Sequence, residues 1–478
     1  MNQEKLRELD TIFYPQSIAI VGVSQDEQKM GNRYLRALLS QGFKGKIYPV
    51  NPNSNNILGL KTYPNLQSIP EPVDYVYVTI PRDRVLSLLD DCAAKKVKAV
   101  GFFTAGFSET GEKEGIELEK EILKKAQEGG FRIIGPNCLG IYSPRANIPC
   151  SVLSGLLGEV GSIAFLSQSG SIILRTVQKG IASGVHFSKA VNFGNGCDLD
   201  SIDFLEYFAS DPETKVIGAY LEGIRDGSRF LQTIKEISKR KPLVIWKGGK
   251  TETGIRAATS HTGALTSSAL IWKVALKQAG VIEVHNLEGL VDTLLAFQEL
   301  PLLRGYAVTV ISGLVNGGGG QSVSAADTCG YLGLELPPFR DKTKKQLNAL
   351  LGQVGTILHN PLDVSQALTR IETIRRAIEI ASADQGINLI IIQENVDLIL
   401  RLQPGKWTEQ MSDMIVALRN KRKKPIVVVL EAELAEAERM TMARKLLAAH
   451  IPVFPTLERA AKAIANMRQY SDYLKYEV

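Results

Sequence analysis

Residues 17–38 read SIAIVGVSQDEQKMGNRYLRAL, and this stretch decides the fold of the first part of the chain. The β-branched run SIAIVGV predicts a buried strand, and a polar loop with Gly22 and Gly31 leads from it into a helical pattern. Such a turn is typical of nucleotide-binding α/β folds, because the free N–H groups of the helix favour a phosphate. The complete G-x-G-x-x-G pattern is absent, so the turn predicts an anion site without identifying its ligand.

Short strands and amphipathic helices alternate along the whole chain, which predicts parallel sheets flanked by helices. Because three sets of strands follow in series, we predict an α/β protein of three consecutive doubly wound units at residues 1–147, 148–300 and 301–478. The predicted strands are 17–23, 45–50, 75–80, 99–105 and 131–135, then 162–167, 216–222 and 243–249, then 307–313, 389–395, 425–431 and 453–455. A helix is predicted at 285–299.

The composition is that of an ordinary soluble globular protein, since 44% of the 478 residues are hydrophobic and 22% are charged. The net charge of +6 is scattered, and we interpret the basic run Lys421–Lys424 as a solvated helix end, so no nucleic-acid partner is predicted. Five widely spaced cysteines without a CxxC pair predict neither a disulfide framework nor a metal site. The charged first residues and the lack of a long apolar stretch predict no signal peptide, no membrane span and a cytoplasmic location.

The end of the second predicted strand argues against a nicotinamide dinucleotide. NAD-binding proteins place an acidic residue there to hold the ribose hydroxyls, whereas this chain has Val50–Pro52 and no carboxylate. An acid would repel the 3′-phosphate of CoA, so its absence favours CoA over NAD and leaves an NAD-dependent oxidoreductase as a lesser alternative. Polar loops follow three further strands, at Thr79–Pro81, Thr104–Gly106 and Gly135–Gly140, where ligands bind in open α/β sheets.

Three features of the second predicted unit follow strand ends and should meet at one edge of its sheet. The Ser/Gly-rich turn Ser167–Ser171 predicts a phosphate site, with a plain helix N-cap as the alternative. Glu222 could accept a hydrogen bond from one imidazole nitrogen and leave the other as a nucleophile, or be a surface or capping glutamate. His261 lies in AATSHTGAL, where small neighbours leave room for a phosphate. The histidines that lack such a setting, and are interpreted as structural or surface residues, are His186, His285, His359 and His450.

Several of these motifs resemble one known family. SIAIVGVS, KGKIYPVNP, FFTAGFSE and GPNCLG are similar to the CoA-binding domain of NDP-forming acetyl-CoA synthetase alpha subunits, relatives of the succinyl-CoA synthetase alpha subunit. QSGS, YLEGI and SHTGAL resemble the phosphate-binding helix start, the histidine-orienting strand and the phosphohistidine loop of that family. The resemblance covers nearly the full chain and implies a Rossmann-like CoA-binding domain followed by two flavodoxin-like domains.

Carried over residue by residue, the resemblance implies that His261 is the phosphorylated nucleophile and Glu222 its orienting carboxylate. The residues implied to hold the phosphoryl group by backbone N–H are Ser169, Gly170 and Ser171. The implied CoA-binding residues are Gly22, Ser24, Lys29, Asn51, Pro52, Thr79, Thr104, Gly106 and Asn137. The sequence departs from the family at Ile80–Pro81, where smaller residues are usual, and at Thr266–Ala269, where an acidic residue is missing.

The third predicted unit carries the glycine loop Gly317–Gly320, which brings backbone N–H groups near an anion or is simply flexible. Its Asn360–Asp363 is similar to the family's Asn-Pro-Val/Leu-Asp. The role of this unit stays open between shaping the acyl-phosphate site and forming a subunit contact.

No segment resembles an ATP-grasp domain, so the resemblance implies that Mg²⁺ and ADP or ATP (or GDP or GTP) bind a separate ATP-grasp beta subunit in a hetero-oligomer such as α2β2. The implied reaction interconverts acyl-CoA, phosphate and nucleoside diphosphate with carboxylic acid, CoA and nucleoside triphosphate, through acyl phosphate and phosphohistidine. The alternative is a catalytically silent CoA-binding or regulatory protein, which the missing acid near Ala269 favours.

Overall fold

A computed structural model describes residues 3–150, 158–256, 269–312, 319–352, 358–364, 370–402, 405–421 and 424–477. They fall into two compact units, Met1–Leu290 and Val291–Val478. The helices are α1 (Gln3–Phe13), α2 (Met30–Gln41), α3 (Val85–Lys95), α4 (Lys113–Gly129), α5 (Gly170–Ala182), α6 (Ser201–Ser210), α7 (Gly227–Ser238), α8 (Ala269–Gln278), α9 (Leu287–Glu299), α10 (Gly319–Tyr331), α11 (Asp341–Leu351), α12 (Ile371–Ala383), α13 (Val396–Leu402), α14 (Trp407–Lys421), α15 (Glu436–Ala448) and α16 (Leu457–Glu477). Among the described residues, no helix combines the length and apolar character needed to cross a bilayer.

The strands of the described residues form three sheets and one small hairpin. They are β1 (Ser17–Val21), β2 (Lys46–Val50), β3 (Asn56–Ile57), β4 (Leu60–Lys61), β5 (Tyr75–Val78), β6 (Ala99–Phe102), β7 (Arg132–Ile134), β8 (Gly140–Tyr142), β9 (Ile163–Ser167), β10 (Phe187–Asn192), β11 (Val216–Leu221), β12 (Leu243–Lys247), β13 (Ile282–Val284), β14 (Val308–Ser312), β15 (Leu362–Asp363), β16 (Leu389–Asn395), β17 (Ile426–Glu431) and β18 (Val453–Phe454). Each predicted strand has a counterpart among the described residues, and most of these strands end one to three residues earlier than predicted.

The first sheet has the order β2-β1-β5-β6-β7, and every neighbouring pair is parallel. One face, with Ile18 and Tyr77, packs with α1 and α2, and the other face, with Val76, packs with α3 and α4. Helices therefore cover both faces, which explains why these strands are apolar throughout rather than alternating. The sheet is doubly wound, as predicted.

The second sheet lies in the same unit and has the order β13-β12-β11-β9-β10-β8. All its pairs are parallel except that of β10 with β8. Its apolar residues, such as Leu166 and Ile217, belong to the same buried cluster as Ile18 and Tyr77 of the first sheet. One continuous core thus fixes the two sheets relative to each other. Strands β8, β10 and β13 were not predicted.

The second compact unit, Val291–Val478, holds the third sheet. Its strand order is β15-β14-β16-β17-β18, and all its pairs are parallel. The predicted α/β fold class, with consecutive doubly wound sheets, is confirmed. The short strand β15 was not predicted. The predicted domain boundaries at residues 147 and 300 stay a prediction.

A charged contact reinforces the junction of the first two sheets. Arg132 on β7 donates to both carboxylate oxygens of Asp198, from Nε at 2.8 Å and from Nη2 at 2.9 Å. The same carboxylate accepts the N–H of Ile133 at 2.8 Å. The side chains of Arg132 and Asp198 are only 21% and 16% exposed, so this bidentate pair is largely shielded from water. It joins a first-sheet strand to the segment after β10.

Replacing Asp198 with alanine should therefore destabilise the first unit. The change removes three hydrogen bonds and leaves a shielded guanidinium without its bidentate acceptor, so we expect the free energy of unfolding to fall by about 2–3 kcal/mol. Denaturant titration measures this loss. The control is Glu117→Ala, which removes the exposed Glu117–Lys120 pair on α4 and should change stability by less than about 0.5 kcal/mol. Equal effects of the two substitutions would contradict this account of the junction.

All the cysteines are buried and none is in a disulfide: Cys92, Cys138, Cys150, Cys197 and Cys329. Burial raises the pKa of the Cys138 and Cys150 thiols to about 12 and that of Cys329 to about 11. The thiols therefore remain protonated in the folded chain well above the ordinary value of 9.0.

This burial predicts an alkaline loss of stability. Above pH 9 the unfolded chain releases thiol protons that the folded chain keeps, so the free energy of unfolding falls as pH rises. Burial of Lys241 and Lys247 acts in the opposite direction, because it lowers their pKa from 10.5 to about 8 and so adds stability from pH 8 to 10.5. Five thiols outweigh two amines, so the melting temperature should fall between pH 9 and 10.5, and native thiols should react with a disulfide reagent only after unfolding. A melting temperature that rises through this range would contradict the prediction.

Candidate active site

A cavity of about 530 Å³ lies at the carboxyl edges of the first and second sheets. The loops after β5 and β6, the β7–β8 connection and the turns after β9 and β10 line it. The lining residues are Thr79, Ile80, Pro81, Phe103, Thr104, Ala105, Asn137, Cys138, Leu139, Gln168, Ser169, Gly170, Ser171, Asn192, Gly194 and Asn195. Three of the nine predicted CoA-binding residues, Thr79, Thr104 and Asn137, therefore share one cavity with all three predicted phosphate-binding residues, as expected for loops at the carboxyl ends of parallel strands.

The serine turn at the start of α5 forms one wall of this cavity. Ser167 Oγ accepts the N–H of Ser169 at 3.1 Å and donates to its carbonyl at 2.8 Å, which holds the turn in shape. Ser169 is the N-cap residue of α5, but its side chain does not cap the helix and instead lies 3.1 Å from Ser171 Oγ. Among the described residues, the N–H groups of the first turn of α5 therefore lack a side chain from the N-cap position as acceptor and are available to an anion.

The side-chain amide of Asn192, at the end of β10, connects this turn to the β7–β8 loop. Its Oδ1 accepts the N–H of Leu139 at 2.7 Å, and its Nδ2 donates to the carbonyls of Ser167 at 2.9 Å and Gln168 at 3.0 Å. Gly170 lies so close that an added Cβ would be 3.2 Å from Leu139. The β7–β8 loop, which carries Asn137, and the turn that carries the predicted phosphate-binding residues are thus held together.

Glu222 is only 6% exposed and lies just after β11, next to the serine turn, because β11 pairs with β9. The hydroxyl of Tyr220 donates to its Oε1 at 3.1 Å. The N–H groups of Glu222 and Gly223 donate to the side-chain oxygen of Gln168 at 2.5 and 3.0 Å. The backbone of Glu222 is therefore held against the cavity-lining Gln168, and its carboxylate by Tyr220, although Glu222 is not itself one of the lining residues.

Lys247, at the end of β12, supports the same strand end. Its Nζ donates to the carbonyl of Glu222 at 2.8 Å and to that of Gly248, and it lies 5.2 Å from the ring centre of Trp272. Burial lowers the pKa of this amine to about 8, and the nearby Glu222 opposes the shift.

His261 lies outside the described residues, as do the rest of 257–268 and the glycines at 317 and 318. Its predicted role is therefore a proposal. Within the described cavity lining, Cys138 is the one thiol, and burial raises its pKa to about 12 while its Sγ donates to the Ile134 carbonyl at 3.3 Å. A protonated, hydrogen-bonded thiol is a poor nucleophile at neutral pH.

The turn after β1 fits a phosphate. Gly22 has φ +98°, and an added Cβ would be 2.7 Å from Thr79 Oγ1, so only glycine allows this close approach. No side chain caps α2, whose N-cap residue is the exposed Lys29. The buried Ser24 Oγ has no hydrogen-bond partner among the described residues. Free N–H groups, a cation and a spare hydroxyl are the groups that a CoA phosphate needs.

The other predicted CoA-binding residues mostly stabilise loops. The Asn51 side chain bonds the Val23 carbonyl and the Asn53 N–H, and Pro52 follows it at the end of β2. The hydroxyls of Thr79 and Thr104 donate to backbone carbonyls at 2.9 and 2.7 Å. Asn137 has φ +57°, and its N–H donates to the Thr104 carbonyl. Both backbone polar groups of Gly106 are bonded within the protein, to Glu109 and Arg82.

Sequence reasoning assigned no individual role to Gln168, Asn192 or Asn195, which all line the cavity. Asn195 follows β10 of the second sheet, and its Nδ2 donates to Glu109 at 2.5 Å and to Glu119 at 2.8 Å. Both glutamates lie in the connection between β6 and β7 of the first sheet, so these bonds link the two sheets. Gln168 lies inside the QSGS motif, and the sequence around Asn192, NFGNG, is rich in glycine. That polar, Gly-rich composition at a strand end was the available signal.

Two family models match the chain. Residues 16–144 match the CoA binding domain, and residues 160–297 match the succinyl-CoA ligase like flavodoxin domain. A solved structure, the dinucleotide-forming acetyl-coenzyme A synthetase 1 of Candidatus Korarchaeum cryptofilum in complex with phosphate and ADP, superposes with a TM-score of 0.86 and 30% identity. The match covers 98% of this chain and 99% of that chain.

Curated relatives extend the comparison. The chain is 36% identical over 466 residues to acetate–CoA ligase [ADP-forming] II subunit alpha of Pyrococcus furiosus, and covers 98% of that protein. It is 35% identical over 464 residues to acetate–CoA ligase [ADP-forming] I of Archaeoglobus fulgidus, of which it spans 64%. The recognition drawn from the sequence motifs is therefore confirmed: the chain belongs to the family of ADP-forming acetyl-CoA synthetases and matches their alpha subunits.

Proposed function

We propose that this chain carries the acyl-transfer and phosphohistidine steps of an NDP-forming acyl-CoA synthetase. Acyl-CoA and phosphate give acyl phosphate and CoA in the cavity, and His261 then receives the phosphoryl group. Glu222 orients the imidazole, and the backbone N–H groups of Ser169, Gly170 and Ser171 hold the phosphoryl oxygens. The proposed CoA-binding residues are those predicted from the sequence. The backbone N–H and carbonyl of Gly106 are already hydrogen-bonded to Glu109 and Arg82, so Gly106 is proposed only for other contacts with CoA.

The observation that carries the proposal is the shared cavity. It brings Thr79, Thr104 and Asn137 to the same space as the uncapped start of α5. An acyl thioester bound by the first set of loops would therefore present its carbonyl carbon near a phosphate bound by the helix start. Holding two reactants in one oriented site is the main requirement of such a transfer.

The chemistry balances in two steps. A phosphate oxygen attacks the thioester carbon, the C–S bond breaks, and CoA leaves as a thiolate that takes up a proton. The unprotonated imidazole nitrogen of His261 then attacks phosphorus, the P–O bond to the acyl group breaks, and the carboxylate leaves. A carboxylate that accepts the other N–H of the ring fixes the tautomer and stabilises the phosphorylated form, which is the role proposed for Glu222.

We propose that the nucleotide step takes place on a partner. The names of the Pyrococcus furiosus relatives, which are alpha subunits, support a separate beta subunit, and the Korarchaeum structure with phosphate and ADP supports ADP as the acceptor. The partner would be an ATP-grasp protein that binds Mg²⁺ and nucleotide, in a hetero-oligomer such as α2β2. A cytoplasmic location is part of the same proposal.

Incubation of the chain with acetyl phosphate labelled in its phosphoryl group should give an acid-labile, base-stable label. Because the N–P bond forms on one imidazole, His261→Ala should reduce the label to background. Glu222→Gln should slow labelling by on the order of 100-fold, since the ring loses its charged acceptor. The measurement is the labelled fraction of the chain against time.

The control for labelling is His450→Ala, which removes a histidine that is 69% exposed and lies in the other unit. It should label like the wild type. A wild-type chain that binds CoA but takes up no label would favour the silent CoA-binding protein and reject the enzymatic proposal. A label that survives His261→Ala would place the phosphoryl group on another residue.

CoA binding can be tested through Lys29, which lies exposed at the start of α2. Lys29→Glu replaces attraction for a CoA phosphate by repulsion, so the dissociation constant should rise about tenfold or more, equivalent to about 1.4 kcal/mol. Calorimetric titration with CoA measures it, and the loss should shrink at high salt. The control is Lys44→Glu, the same change at an exposed lysine that precedes β2 and so lies at the opposite edge of the sheet. Equal losses for both variants would reject a CoA phosphate at this helix start.

A further inference from the structure

Gln168 occupies the position between the two parts of the proposed site. It follows the last residue of β9, precedes the serine turn at the start of α5, and lines the cavity. Its side chain also reaches the end of β11, where Glu222 lies. It therefore contacts the segment proposed to orient the imidazole and borders the segment proposed to hold the phosphoryl group.

The chemistry of its partners fixes the orientation of the Gln168 amide. Oε1 lies 2.5 Å from the N of Glu222 and 3.0 Å from the N of Gly223. Both partners are N–H groups that can only donate, so the atom facing them must be the carbonyl oxygen and not the amide nitrogen. Nε2, with its two N–H groups, then faces away from β11. Among the described residues, none accepts a hydrogen bond from it.

The backbone of Gln168 is also held firmly. Its N–H donates to the Tyr220 carbonyl at 3.2 Å, and its carbonyl accepts from Asn192 at 3.0 Å. The residue is thus bonded to the strands on both sides of β9. A donor whose backbone and carbonyl are already fixed loses little conformational freedom when it binds a ligand.

We propose that Gln168 is a further phosphate-binding residue, which donates from Nε2 to an oxygen of the phosphate or acyl phosphate held at Ser169–Ser171. Its Oε1 at the same time holds the backbone of Glu222, so one rigid amide sets the distance between the anion and the orienting carboxylate. The ligand class is a tetrahedral oxyanion, bound here by a neutral donor in addition to the helix N–H groups. This inference rests on the proposed function of the cavity.

Two substitutions separate the proposed donor, Nε2, from the clamp, by which we mean the hydrogen bonds that Oε1 accepts from the N–H groups of Glu222 and Gly223. Gln168→Glu keeps an oxygen that accepts the N–H groups of Glu222 and Gly223, but replaces both donors by a negatively charged acceptor. Gln168→Leu removes the donors and the clamp together, and leaves the two backbone N–H groups without an acceptor. The matched control is Gln178→Glu, the same change at an exposed position further along α5.

The experiment measures affinity for inorganic phosphate by ³¹P NMR titration, the rate of labelling by acetyl phosphate, affinity for CoA, and melting temperature. For Gln168→Glu we expect phosphate affinity and labelling rate to fall by on the order of 100-fold, with CoA affinity and melting temperature close to wild type. Gln168→Leu should lose the same binding and also melt several degrees lower, on the order of 5 °C. Gln178→Glu should match the wild type throughout.

Phosphate affinity and labelling of Gln168→Glu within about threefold of wild type would overturn the inference, because only the clamp would then matter. Loss of CoA affinity to the same extent as phosphate affinity would also overturn it, since the variant would have disturbed the whole cavity. If the wild type binds phosphate but is never labelled, while Gln168→Glu fails to bind phosphate, then the proposed function fails and the assignment of Gln168 stands.

Discussion

The cavity depends on the hydrogen bonds made by the side-chain amide of Asn192. This amide bonds the backbone of Leu139, Ser167 and Gln168, so one side chain joins the β7–β8 loop to the turn at the start of α5. The position of Asn192 in turn depends on β10, the strand that brings it to the carboxyl edge of the second sheet. The proposed meeting of CoA and phosphate therefore rests on a strand that itself carries no predicted site residue.

Strand β10 shows why part of the fold escaped prediction. Its sequence, FSKAVN, contains a serine, a lysine and an asparagine, yet all six residues are buried. Lys189 is buried because its Nζ donates to Asp211 at 2.7 Å and lies 5.1 Å from the ring centre of Tyr14. Ser188 pairs with Thr214 at 2.9 Å. These partners are distant in sequence, so a local pattern of hydrophobic residues cannot reveal that the lysine belongs to the core.

The strands that were predicted can be recognised from local sequence alone. The site residues that line the cavity together could be predicted from the geometry of those strands. Parallel strands covered by helices on both faces must be apolar throughout, so SIAIV or LIII is recognisable without any partner. Their carboxyl ends necessarily share one edge, which is why the loops at Thr79, Thr104 and Ser169 could be expected to meet. Gln168 and Asn192 are different, because their contribution lies in which backbone atoms their amides bond. That information exists only after the chain has folded.

The charge of the cavity has a consequence for the proposed transfer. None of the described residues that line it is charged, so the groups that they offer to an anion are N–H groups, hydroxyls and side-chain amides. A lysine or arginine would bind phosphate more strongly in the ground state, and that extra binding would also have to be broken when the phosphoryl group moves to a histidine. Neutral dipoles that are already oriented stabilise the transferring oxygens without such a fixed counter-charge. The buried cation Lys247, at the end of β12, directs its Nζ to the backbone carbonyls of Glu222 and Gly248 and is not one of the lining residues. For the proposed transfer, such a lining would favour passage of the phosphoryl group over its retention, which is the property that a reversible two-step transfer requires.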